Sequence, residues 1–64
     1  MTLEEFALCL CACQLKIEVI ANRQHMSFEN DDALWNAVRS DKALAARQVA
    51  YFSIETDCLN IRIF

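Results

Sequence analysis

The chain has 64 residues, 56% hydrophobic and 23% charged, with a net charge of −3 and neither glycine nor proline. That composition belongs to a folded domain rather than a disordered acidic tail, and it excludes collagen-like, linker-like and Walker-type phosphate-loop sequences. The six basic residues (Lys16, Arg23, Arg39, Lys42, Arg47, Arg62) are scattered singly, so the basic stripe that displaces counterions from DNA or RNA is missing. Residues 1–64 are therefore expected to form one small domain with a protein partner and no direct nucleic-acid contact.

Thr2-Leu3-Glu4-Glu5 has the form of a capping box, with two acids suited to a helix N-terminus. Leu3, Phe6, Ala7, Leu10 and Cys13 follow at helical spacing, and Leu8, Cys9, Cys11 and Ala12 load the remaining faces with apolar groups. This predicts a first helix that sees little water. Leu10-Cys11-Ala12-Cys13 has the outline of a lipobox, yet Glu4 and Glu5 stand where a signal peptide carries positive charge. No apolar run approaches the roughly 18 residues of a membrane span. The reading is a cytoplasmic protein without a membrane segment.

From Leu15 the period changes to two: Leu15, Ile17 and Val19 alternate with Lys16 and Glu18, the pattern of a half-buried strand. Ala21-Asn22-Arg23-Gln24 is the expected hairpin turn, with Asn supplying a left-handed conformation. The return strand sets Met26 and Phe28 against His25 and Ser27. Asn30-Asp31-Asp32 reads as the N-terminus of a second helix. Leu34, Val38, Ala45, Val49 and Phe52 continue it, with Ser40-Asp41-Lys42 as an interruption where it bends or restarts. After a turn at Thr56-Asp57, Leu59, Ile61 and Ile63 alternate with Asn60, Arg62 and Phe64, which makes the tail a candidate third strand. The fold class is α+β, a small helix–strand–strand–helix domain extended by that strand.

The residues with chemical potential favour structure over catalysis. Three of the four cysteines crowd into Cys9-Leu10-Cys11-Ala12-Cys13 and the fourth, Cys58, is remote. Paired ligand spacing for zinc is lacking, and the single His25 has no second cluster to join. Reduced, buried cysteines are expected, with no metal and no cofactor. A cysteine nucleophile would need an oriented base, and His25 has no evident orienting group, so no enzyme activity is expected. Glu29, Asp31 and Asp32 are explained by helix capping rather than by a calcium loop.

The order of elements, with Phe6 to Leu15, Lys16 to Phe28, and Leu34 through Val38-Arg39-Ser40-Asp41-Lys42-Ala43-Leu44, resembles the TubC-like N-terminal docking domains of nonribosomal peptide and polyketide synthases. Members of that family run as a leucine-rich helix, a two-stranded hairpin and a helix ending in a pattern like Leu-Arg-x-x-Lys-Ala-x-Leu. The resemblance implies a docking or adaptor module that recognises a partner peptide or protein through the hairpin edge and adjoining helix, helped by homodimerisation. Lys16, Glu18 and Arg23 are the candidate charge readers, and Ile20 and Trp35 the candidate apolar contacts. The competing structural reading is that the terminal strand already fills the hairpin's free edge. The alternative function is a small phage-type inhibitor, of the anti-CRISPR or host-takeover kind, that blocks a host complex with the acidic patch Glu29, Asp31 and Asp32.

Overall fold

A computed structural model describes residues 1–10 and 15–64. The expectations placed on Cys11, Ala12 and Cys13 lie outside the described residues. Helix α1 (Leu3–Cys9) is followed by strands β1 (Lys16–Ile20) and β2 (His25–Phe28), helices α2 (Asp31–Ser40) and α3 (Lys42–Ala45), and strands β3 (Val49–Glu55) and β4 (Cys58–Ile63). The strands form one sheet in the order β2-β1-β4-β3. Both hairpins, β1–β2 and β3–β4, are antiparallel, whereas β1 and β4 meet in parallel at the centre, Ile17 beside Leu59 and Val19 beside Ile61.

The caps follow the sequence closely. Thr2 Oγ1 accepts from the Glu5 amide at 3.2 Å while the Glu5 carboxylate accepts from the Thr2 amide at 2.8 Å, closing the capping box. Asn30 Oδ1 accepts from the Ala33 amide to start α2. Asp41 Oδ1 accepts from the amides of Ala43 and Leu44, so the helix restarts at α3 instead of continuing.

All three helices lie on one side of the sheet. Leu3, Phe6, Leu34 and Val38 meet Ile17, Val19, Leu59, Ile61 and Ile63 in a single core. Leu3, Ile17, Val19, Leu34 and Ile61 are completely buried. The other face of the sheet carries Lys16, Glu18 and Ile20 of β1 beside His25 and Ser27 of β2, and no helix among the described residues covers it.

Four expectations are corrected. Val49 and Phe52 belong to β3, not to a helix: the ladder with β4 shifts register between Val49 and Tyr51, and this bulge lets two residues three apart face the helices together. The spacing thereby imitates a helical repeat. Leu8 is 64% exposed and Cys9 is exposed, so α1 shows water one of its apolar faces and the Cys9 thiol is not buried. Cys58 is half-buried and, like Cys9, free. Asn22 does not take a left-handed conformation; among the described residues only Thr56 (φ 44°) and Asp57 (φ 62°) do. The β1–β2 connection spans the expected residues Ala21 to Gln24 but is closed by the Ala21 amide donating to the Gln24 carbonyl at 2.8 Å, without a positive φ.

Three outcomes test this architecture. Leu34→Ala or Ile61→Ala removes a fully buried side chain at a cost of about 2–5 kcal/mol, comparable to the whole stability of a domain this small. Circular dichroism should show either variant largely unfolded at 25 °C; a cooperative melt at the wild-type midpoint would refute the core. Thr56 and Asp57 hold the paired positive φ values of a type I′ turn, which Asn-Gly occupies with less strain. T56N/D57G should raise the melting midpoint by about 4–8 °C, the shift expected of ~1 kcal/mol in this size range. The hydrogen bonds from the Thr2 backbone and side chain hold the Glu5 carboxyl below its ordinary value of 4.5. A depressed acid stabilises the fold fully above its unfolded value, and the benefit fades as pH falls through the folded value. In an NMR titration, Thr2→Val should therefore move the Glu5 midpoint upward, toward 4.5.

Candidate functional site

β1 is a central strand, so Lys16, Glu18 and Ile20 project from the uncovered face of the sheet rather than along a free edge. Cys58 to Ile63 occupies the edge that the hairpin would otherwise present. On that face the Glu18 carboxylate lies 3.9 Å from Lys16 Nζ and 3.5 Å from His25 Nε2. These exposed pairs bring together groups of one surface and contribute little to stability. Arg23 sits in the β1–β2 loop, exposed. Trp35 is on α2 and packs half-buried against the core from the helical side, so the structure separates it from the four hairpin residues.

It brings Trp35 together with the acidic patch instead. Ala7, Leu8 and Leu10 at the end of α1 and Asp31, Asp32 and Trp35 at the start of α2 line a cleft of about 260 Å³. This lining brings the C-terminal turn of α1 beside the N-terminal turn of α2. Leu8, Leu10 and Trp35 offer apolar area, while Asp31 and Asp32 supply negative charge at the rim, with exposed Glu29 just before the helix. Both aspartates also suit the positive end of α2. The acids of α1 stand elsewhere, Glu4 lining a separate depression with Lys42.

Two further depressions lie on the uncovered side of the sheet and share Tyr51 and Arg62. The larger, about 540 Å³, reaches Asn22 and the exposed ring of Phe64. Sequence reasoning missed this pair because the β3 bulge hid Tyr51 inside an apparent helix. The turn residues Thr56-Asp57, read backward into Val49–Glu55 as well as forward, were the available signal. Among the described residues no group of three or more His, Cys, Asp or Glu is placed to hold a metal ion, and no helix is long and apolar enough to cross a membrane. No family model, curated protein or solved structure matches the chain.

Proposed function

We propose that this protein is an interaction module that docks a partner protein segment in the α1–α2 cleft. The observation that supports it is the conjunction of the exposed Leu8 and half-exposed Trp35 with two aspartates in one concave site. Trp is the side chain most often responsible for binding energy at an interface, and an apolar floor with charged margins is the usual anatomy of such a site. The charge specifies the partner: a segment with an apolar anchor for Leu8 and Trp35, and Lys or Arg to meet Asp31 and Asp32. Among the described residues lining the cleft there is no nucleophile–base pair, which favours a binding role.

The succession of α1, the β1–β2 hairpin and α2 agrees with the element order of the synthase docking domains, and Val38-Arg39-Ser40-Asp41-Lys42-Ala43-Leu44 spans the junction of α2 and α3. That supports a docking or adaptor role over the inhibitor role. An inhibitor that imitates an acidic ligand needs a broad carboxylate field, and here Glu29, Asp31 and Asp32 stand apart from Glu4 and Glu5. Homodimerisation would present the cleft twice.

Selection of peptides on the immobilised protein tests the reading. Recovered sequences should combine Leu, Phe or Met with Lys or Arg, and Trp35→Ala should weaken their binding about 30-fold, as loss of a ~2 kcal/mol anchor implies. Asp32→Lys should also weaken it, by an amount that shrinks as salt rises. Peptides that bind both variants as tightly as wild type would place docking elsewhere.

A further inference from the structure

The outer edge of β3 is defended over only part of its length. At its start the N-terminus lies alongside: the Leu3 amide donates to the Arg47 carbonyl at 2.8 Å and the Val49 amide to the Met1 carbonyl at 2.9 Å. Beyond the bulge, Tyr51 to Glu55 has no strand on its outer side among the described residues. This stretch contains no proline, no lysine and no inward charge, the usual guards of an open edge. It also exposes three large apolar side chains, Tyr51 at 64%, Phe52 at 55% and Ile54 at 64%.

The pattern of these five residues is self-complementary. Thr56-Asp57 is a two-residue turn, so Glu55 and Cys58 exchange backbone hydrogen bonds, and bonded pairs then alternate along β3–β4. Tyr51, Ser53 and Glu55 therefore bond to β4, while the amides and carbonyls of Phe52 and Ile54 point outward. Two copies meeting antiparallel can pair those groups in three registers. Centring on Phe52 runs Glu55 into the part of the edge already occupied by Met1. Centring on Ile54 draws the two Glu55 carboxylates toward each other. Centring on Ser53 pairs Phe52 of each copy with Ile54 of the other, satisfies all four outward groups on each strand, and sets Glu55 opposite Tyr51. Arg62 is the residue beside Tyr51 on β4. Its guanidinium has no carboxylate partner among the described residues. Glu55 and Arg62 share the uncovered face two strand spacings apart, about 10 Å between backbones, a gap that their two side chains span together.

We propose that the partner of the β3 edge is a second copy of this chain, joined antiparallel about Ser53 into an eight-stranded sheet, with each Glu55 paired to the other copy's Arg62. Phe52, already 5.1 Å ring-to-ring from Phe6, then packs against the incoming Ile54 on the helical side. The assembly uses one edge of the sheet and leaves β2 and the α1–α2 cleft open.

Sedimentation equilibrium over 1–500 μM should show a mass twice the 7.4 kDa of the chain. Glu55→Arg and Arg62→Glu should each raise the dimer dissociation constant at least about tenfold, and E55R/R62E should restore it to within about threefold. Circular dichroism checks each variant's fold. Register is read independently with the charges intact: Ser53 faces its own copy as a non-hydrogen-bonded pair, a separation a disulfide can bridge. S53C/C58S should therefore cross-link to itself on mild oxidation, through the peptide containing residue 53. A wild-type monomer throughout the range, a dimer in which that variant fails to cross-link, or a double reversal that does not restore association overturns the proposal.

Discussion

The parallel pairing of β1 with β4 joins two local hairpins that are far apart in sequence, and the rest of the molecule depends on it. A hairpin of two short strands is marginal in water. Side by side, Ile17 and Val19 abut Leu59 and Ile61, and all four are nearly or completely inaccessible. The chain between the hairpins must cross from the end of the sheet where β2 finishes to the opposite end, where β3 starts, to make the pair parallel, and α2 and α3 provide that passage. In doing so they cover the apolar side. The helical layer is thus both the connection that parallel pairing demands and the lid that its buried residues require.

The same constraint fixes which surfaces are available for binding. Once β4 lies against β1, Lys16, Glu18 and Ile20 are locked into the interior of the sheet's bare face, and strand addition at β1 has no place. The edges that remain are β2 and β3. β2 is four residues long with its apolar pair, Met26 and Phe28, half-buried toward the helices. β3 extends beyond the helical cover, which is why Phe52 and Ile54 sit on the core side of the ladder and still meet solvent. A layer of three short helices is too narrow for four strands, and the excess appears at β3.

Much of this was legible because local signals were unambiguous. Thr2 and Glu5, Asn30, and Asp41 name their own helix starts, since each side chain satisfies a backbone amide within three residues. The alternation at Ile17–Val19 and Leu59–Ile63 names strands and also their buried face. What failed required knowledge of pairing. A bulge shifts side-chain phase by one residue, so Val49 and Phe52 matched a helix although Tyr51, Phe52 and Ile54 are strand formers. Strand order is equally invisible locally: nothing in Lys16–Ile20 states whether its second neighbour is a partner or its own tail. The cleft was half legible. Trp35, Asp31 and Asp32 were each visible as candidates, but their union with Leu8 depends on how α1 crosses α2.

The cleft and the β3 edge lie on different parts of the fold, and their separation has a thermodynamic consequence. The α1–α2 cleft opens where α2 begins, and α2 lies over β1 and β2, whereas α1 reaches β3 through Phe6 against Phe52. In the proposed dimer the joint is made through Tyr51 to Glu55, none of which lines the cleft. Two clefts carried on the proposed eight-stranded sheet would be held at a fixed spacing, so a partner bearing two copies of the recognised segment would bind the second at high effective concentration without any new contact. If a segment docks in the 260 Å³ cleft as proposed, a single one would bind with modest affinity, since few of its side chains would be buried. Pairing through β3 would turn that weakness into selectivity for partners that are themselves dimeric, because only they engage both clefts at once.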